Sequence, residues 1–272
     1  MKRILVPTDF SKEAEMALKV AAFIATKNDS EIFILHSIEM PMYLSSVSKG
    51  AVPESIFHIK LAENKFEELL EKPYIEDIEV HEAIGHGEVH LDINEAVEEK
   101  NIDLIVIASH GVSGFKEMFI GSNTEKVVSS SNIPVLVIKN EHQSFDINNF
   151  VYLTDFSEDC KIPFKKAQKF AKEVGVSINL LYVNTPSHFK TTSEITQKLK
   201  DFKLNMGLEN YTFHIHNDTS VENGILNFAK DTNADLIGLG THGRKGLLSF
   251  FNSNTQEDIV NHANMPVITF RY

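Results

Sequence analysis

The sequence predicts an α/β protein made of two tandem open parallel-sheet domains, with helices on both faces of each sheet. Three observations predict it. The chain repeats itself once, and each repeat alternates short β-branched runs with longer stretches of helical period. The composition is that of an ordinary globular protein, with 42% hydrophobic and 24% charged residues over 272 positions.

The repeat shows first in Pro7-Thr8-Asp9-Phe10-Ser11, which returns as Leu153-Thr154-Asp155-Phe156-Ser157, 146 positions on. Asp103-Leu-Ile-Val-Ile-Ala-Ser-His-Gly111 returns as Asp235-Leu-Ile-Gly-Leu-Gly-Thr-His-Gly243, and Asn132-Ile-Pro-Val135 as Asn264-Met-Pro-Val267, both 132 positions on. The offset falls by 14, so the second copy lacks a segment that the first carries. That segment is most naturally Glu39–Val52, with Met-Pro-Met-Tyr, a Ser-rich stretch and Gly50, and it reads as a lid or a partner surface. Two homologous domains follow, 1–140 and 149–272, joined by a polar stretch at Asn140–Asn148.

In the first domain Ile4-Leu5-Val6 is a strand. Ala14, Ala17, Leu18, Ala21 and Ala25 recur at three and four and mark one apolar helix face, with Ser11 placed as its N-cap and Glu13 in its first turn. A strand at Ile32–Leu35, a helix near Glu54–Leu70, a strand near Glu79–Ile84 and a helix through Val89, Ile93, Ala96 and Val97 come next. Leu104–Ile107 is a continuous apolar run, as a strand covered on both faces requires, and Val135–Ile138 closes the domain after a short helix. The second domain repeats the order. Its first helix runs through Phe164, Ala167, Phe170, Ala171 and Val174, with Ser157 as N-cap. Ile178–Leu181, Glu194–Met206, Tyr211–Ile215, Val221 to Ala229, Leu236–Leu239 and Val267–Phe270 follow. The order βαβαβαβαβ, twice over, implies a Rossmann-like, five-stranded parallel sheet in each domain, with right-handed crossovers. Ligands of such sheets bind beyond the carboxyl ends of the strands, where the winding reverses.

The 38 acidic residues against 26 basic ones give a net charge of −12, which repels nucleic acid and excludes it as a partner class. A small anion is not excluded, because a ring of backbone N–H groups acts locally. A single cysteine, Cys160, makes no internal disulfide, and no stretch approaches the roughly 20 apolar residues of a membrane helix. The opening residues lack the pattern of a signal peptide, so the expectation is a soluble, cytoplasmic protein.

Asp9 and Asp155, at the ends of the first strands, read either as turn residues or as carboxylates that accept ribose hydroxyls or hold a metal. After the fourth strand come Ser109-His110-Gly111-Val-Ser-Gly114 and then Gly121-Ser122-Asn123-Thr124-Glu125, which opens a helix. Glycine lets the backbone approach an anion and the first helical N–H groups point at it, so the outline is that of a phosphate cradle. No Walker A string Gly-x4-Gly-Lys-Ser/Thr occurs. His110 and His242 recur beside the glycines, as phosphate donors or as turn residues. His86 with His90, and His214 with His216, have ligand spacing, but no thiolate accompanies them and zinc takes three or four ligands, so no metal site is expected. Cys160 aligns with Ala14 and reads as a small buried packing residue.

These residues resemble the universal stress protein family. The βαβαβαβαβ unit, the strand-end Asp9, and the run Ala108-x2-Gly111-x9-Gly121-Ser122 ahead of Asn-x-Pro-Val carry the resemblance, and the duplication resembles a tandem member. It covers nearly the whole chain apart from Glu39–Val52 and the linker. The nucleotide-binding form of that family carries Gly-x2-Gly-x9-Gly-Ser/Thr. The first copy matches except that Ala108 replaces the first glycine. The second keeps Gly240-x2-Gly243, then runs one residue short and reads Asn252-Ser253, losing the last glycine.

The resemblance implies that the first domain binds ATP or a related adenine nucleotide, with Mg2+ as an accompanying ion. Thr8 and Asp9 would stand at the ribose and Ser37 and Ile38 beside the adenine. Ala108, His110 and Gly111 would lie along the triphosphate, with Gly121, Ser122 and Asn123 donating to phosphates. Asp155, Val183, Gly240, Gly243 and Ser253 would form a weaker second site. The implied role is a stress-response regulator that signals through conformation or association. A slow ATPase or phosphotransferase using Asp9 and a metal ion, and a ligand-free scaffold, are the alternatives. The enzyme ranks lower because only Lys116 lies near the loop and no base stands ready to align water, and no catalytic residue is assigned. Val135–Ile138 would pair with Val267–Phe270 as an intrachain pseudo-dimer, leaving homodimerisation and an unidentified protein partner open.

Overall fold

The computed structural model describes residues 1–38, 51–110, 120–139, 145–206, 211–241 and 253–271. They form two compact units. The first holds the described residues up to His110, residues 121–130 and Phe145. The second holds Ile120, residues 131–139 and the chain from Asp146.

The first unit runs β1 (Arg3–Pro7), α1 (Lys12–Asn28), β2 (Glu31–Ser37), α2 (Ala51–Leu70), β3 (Val80–Gly85), α3 (Val89–Lys100), β4 (Leu104–Ala108) and α4 (Ser122–Ser130). Its sheet has the order β3-β2-β1-β4 with parallel pairing throughout, Ile4 lying between Ile32 and Leu104. The winding thus reverses between β1 and β4, and their carboxyl ends open the crevice that such a reversal creates. Helix α1 packs on β1 and β4 through Ala14, Ala17, Leu18, Ala21 and Ala25, all buried as the spacing predicts. Its small side chains let the helix lie close to the sheet. Leu18 and Ile24 are 2% and 3% exposed, each burial stabilising the fold by about 1.5–3 kcal/mol. The Ser11 side chain caps the helix, accepting the Ala14 amide at 3.1 Å.

The second unit runs β5 (Val135–Ile138), β6 (Phe150–Leu153), α5 (Lys161–Val174), β7 (Ile178–Asn184), α6 (Thr192–Met206), β8 (Tyr211–Asn217), α7 (Val221–Asp231), β9 (Leu236–Thr241), α8 (Ser253–His262) and β10 (Val267–Arg271). Its strand order is β5-β10-β9-β6-β7-β8. The pairs are parallel except β5 with β10, which run antiparallel with Val137 opposite Val267 and Leu136 opposite Ile268. All four β5 residues are buried, and the strand covers the edge that β10 would otherwise present.

One element departs from expectation. Ser157 does not cap an α-helix: residues Glu158–Cys160 form a 3-10 turn and α5 begins only at Lys161, with the Ser157 hydroxyl donating to the Cys160 sulfur at 3.4 Å. Pro163 is the reason. Proline lacks an amide hydrogen and is tolerated in the first helical turn but not beyond it, so a helix starting at Glu158 would place it too deep. The first copy has Ala17 at the matching position and starts its helix at Lys12. Short 3-10 turns at Pro73–Ile75 and Pro186–His188 also begin on prolines. No helix among the described residues is long and apolar enough to cross a membrane.

Candidate functional site

In the first unit the chain leaves β1 through a corner that closes on itself. The Thr8 amide extends the ladder to the Leu35 carbonyl at 2.8 Å. The Thr8 hydroxyl then accepts the Phe10 amide and Asp9 Oδ1 accepts the Ser11 amide, each at 3.0 Å. These short side chains satisfy the two amides that neither strand nor helix uses, while Phe10 takes a left-handed φ of 61° to make the bend. Asp9 therefore serves as a turn residue, yet it stays exposed and stands on the wall of a cleft.

The opposite wall is the head of α4, fastened to the end of β4 by two bonds. The Gly121 amide donates to the Ser109 carbonyl at 2.7 Å, and the buried Thr124 hydroxyl donates to the Ala108 carbonyl at 2.9 Å. The Gly121 amide, expected among the phosphate donors, is thus engaged within the protein. The amides of Ser122, Asn123 and Thr124 head the helix, where no carbonyl lies one turn earlier in the helix to receive them. They carry the partial positive charge of the helix dipole, about half an elementary charge. Ser122 and Asn123 are exposed.

Between the walls lies a cleft of about 190 Å³, lined by Thr8, Asp9, Ser37, Ala108, His110, Gly121, Ser122 and Asn123 together with His36, Val89 and Thr124. Eight of the ten residues expected in the first site meet here. Ile38 does not: it lines an adjoining cavity of about 380 Å³ with Asp9, Phe10, His36 and residues of α2, because successive side chains at a strand end point to opposite sides. Gly111 lies outside the described residues. Ser37 Oγ and His110 Nε2 are buried with no hydrogen-bond partner among the described residues, while His110 Nδ1 meets the Ser109 hydroxyl at 2.9 Å. Buried polar atoms are normally paired, so two unpaired ones beside a cleft mark a place where a partner fits. No lysine or arginine lines the cleft among the described residues.

Sequence patterning alone singles out neither Thr124 nor His36. Thr124 matters through a hydroxyl bond to a strand end 16 residues earlier, and His36 through the Thr8 carbonyl just past the end of β1.

The second unit treats the same positions differently. Asp155 is 5% exposed, and its Oδ1 accepts the Ser157 amide at 2.9 Å and the Cys160 thiol at 3.0 Å. Burial first, and then the Asp155 carboxylate, push the Cys160 thiol up to about 12, so it stays protonated and seals Asp155 in. The Val183 methyls press on Gly224, where a Cβ would come within 2.4 Å of Cγ1. A Cβ on Gly240 would stand 3.0 Å from Pro163 Cβ and 3.1 Å from the Tyr152 hydroxyl, and one on Gly238 would stand 2.6 Å from the Phe150 ring. Gly238 and Gly240 thus leave room for aromatic and proline side chains. The first copy has Val6 and Ala17 where the second has Tyr152 and Pro163, and there Ala108 fits. Gly243 and the Ser253 side chain lie outside the described residues.

Among the described residues no three His, Cys, Asp or Glu side chains gather to hold a metal ion. His90 sits 3.5 Å from Glu88 and His216 3.5 Å from Asp218.

A repeated parallel-sheet unit with a helix head fastened over the strand ends defines a tandem protein of the Rossmann-like α/β class. A profile of the Universal stress protein family matches residues 1–139 and 147–271, once per repeat, and the chain belongs to that family. It is similar to universal stress protein MJ0577 of Methanocaldococcus jannaschii, 34% identical over 158 residues that cover 52% of this chain and 96% of that protein. It is also similar over the full length of both chains to universal stress protein Slr1230 of Synechocystis sp., at 24% identity over 303 residues. The crystal structure of a universal stress protein from Archaeoglobus fulgidus DSM 4304 superposes with a TM-score of 0.74 at 22% identity, covering 99% of this chain and 98% of that one.

Proposed function

We propose that the first unit binds an adenine nucleotide, ATP or a close relative, across the carboxyl ends of β1 and β4, and that the protein is a stress-response regulator whose bound state differs in conformation or association. The observation that carries this reading is the head of α4. Its leading amides, held by the 2.7 Å and 2.9 Å bonds to the end of β4, face a cleft that also holds unpaired polar atoms of Ser37 and His110. Phosphates belong at the amides of Ser122, Asn123 and Thr124, the ribose at Asp9 and Thr8, and the base toward Ser37 and Ile38. Two or three amide-to-phosphate bonds at about 1.5–3 kcal/mol each supply about 3–9 kcal/mol before the cost of association is subtracted.

Asp9 is the one carboxylate on the described wall of this cleft. Mg2+ is commonly held by one or two carboxylates together with substrate phosphates, so that donor set fits an ion arriving with the nucleotide. The second unit is assigned no nucleotide, because its counterpart aspartate is buried. A single buried cysteine suits a reducing compartment, which supports a cytoplasmic location.

Equilibrium dialysis of the full chain with labelled ATP tests the proposal. Saturable binding that weakens at least about tenfold in Asp9→Ala supports it, and no retention at millimolar nucleotide rejects it. Phosphate release above background from Mg–ATP, lost in the same variant, would replace the regulator with a slow ATPase.

A further inference from the structure

We infer that His36 selects the base: the space beyond Asp9 takes a base bearing an exocyclic amine in preference to one bearing a carbonyl at that position. This rests on the adenine-nucleotide reading above and names what that site discriminates.

His36 Nδ1 lies 2.8 Å from the Thr8 carbonyl. A carbonyl only accepts, so Nδ1 holds the hydrogen, and in the neutral ring Nε2 is left with a lone pair and no proton. The ring is fixed in place. It packs on Phe10 with centroids 4.6 Å apart, and Phe10 in turn meets the buried Phe66 edge-on at 5.2 Å. The same β1 corner that places Asp9 therefore sets both the tautomer and the direction of His36. The residue lines both the 190 Å³ cleft and the 380 Å³ cavity, and its Nε2 is neither buried nor met by a partner among the described residues.

The neighbouring wall has the same chemical sense. The Asp9 carboxylate can only accept, and in the proposed pose it receives ribose hydroxyls. Across the larger cavity, Lys65 is drawn to Glu68 at 2.8 Å. His36 Nε2 is then an acceptor of fixed direction for the base, beside the Ser37 hydroxyl, which can turn to donate or to accept. A 6-aminopurine offers it a donor, whereas a 6-oxopurine offers a carbonyl, which sets lone pair against lone pair. Sites built to bond a donor reject the analogue lacking it far more strongly than apolar pockets reject a missing methylene.

Calorimetric titration of the full chain with ATP and with inosine triphosphate, which carries an oxygen where ATP carries the 6-amino group, tests the inference. The parent protein is expected to bind ATP at least about tenfold more tightly than inosine triphosphate. Two variants separate the role of Nε2 from that of the ring. His36→Phe keeps an aromatic ring against Phe10, and His36→Asn keeps a donor for the Thr8 carbonyl; neither has Nε2. Both are expected to bring the ATP to inosine triphosphate ratio to within about threefold, with melting temperatures recorded to confirm folding. A parent that binds both triphosphates equally, or folded variants that keep the parent ratio, overturns the inference while the nucleotide reading stands. Failure of the parent to bind either one overturns both.

Discussion

Replacing Gly121 with alanine is expected to weaken nucleotide binding at least about tenfold while leaving folding stability within about 1 kcal/mol of the parent. Among the described residues the added Cβ would meet the Ser109 carbonyl oxygen at 3.5 Å and His110 Cα at 3.9 Å, ordinary contacts, and Gly121 does not occupy the left-handed φ region. Two small effects on stability oppose each other. Alanine reduces the freedom of the unfolded chain, a gain of about 0.4–1 kcal/mol. Gly121 also precedes the first turn of α4, its carbonyl accepting the Glu125 amide at 3.0 Å, and there alanine is the poorer residue, offsetting that gain by up to about 1 kcal/mol. The ligand has no such balance. Phosphate oxygens must come within about 2.7–2.9 Å of the next amides, and a methyl on the wall holds them off. Losing one charge-assisted bond of about 1.5–3 kcal/mol gives the tenfold figure or more. Calorimetry for affinity and urea titration for stability, on the same preparation, make the comparison. An unchanged affinity would refute close approach at this turn, and a loss of several kcal/mol of stability would show that the fold itself needs the glycine.

Thr124→Val removes the donor to the buried Ala108 carbonyl and should cost about 1–3 kcal/mol in urea unfolding, with weaker nucleotide binding that Thr124→Ser restores; a valine variant as stable as the parent would contradict the fastening role. Gly238→Ala puts a Cβ 2.6 Å from the Phe150 ring, so stability should fall by about 1–3 kcal/mol with nucleotide affinity unchanged, and reduced affinity at full stability would return these glycines to the ligand. Burial lowers the Lys139 amine from its ordinary 10.5 to about 8, even as it donates to the Asn261 carbonyl at 3.2 Å. Below pH 8 both states hold the proton and the burial penalty is present in full. Between about 8 and 10.5 the folded chain has released the proton that the unfolded chain still binds, so this group's contribution to stability improves as pH rises. Lys139→Met should therefore be more stable than the parent at pH 7, with a margin that shrinks by pH 9.5; a margin constant across that window in urea titrations would refute the assignment.

The parts of the fold written in local pattern were legible in the sequence. Leu104–Ile107 reads as a doubly covered strand, and the three-and-four spacing of Ala14 to Ala25 marks the buried face of α1. The site was legible where a residue's position in the motif also fixes its place at the strand ends, as for Asp9, Ala108 and Ser122. What escaped depends on neighbours distant in sequence. The late start of α5 follows from Pro163, although Ser157 repeats the capping pattern of Ser11. The packing of Pro163 and Tyr152 around Gly240 joins residues far apart in the chain. The engagement of the Gly121 amide by Ser109, which moves the free donors one residue onward, requires the loop to be closed in three dimensions.

In the proposed function one unit of the duplicated chain holds a nucleotide at the head of α4 and its counterpart, with Asp155 sealed by Cys160, does not. The binding stoichiometry of the intact protein, from calorimetric titration with Mg–ATP, tests it most directly. One nucleotide per chain is expected, and either two per chain or no heat at millimolar ligand would overturn this division between the units.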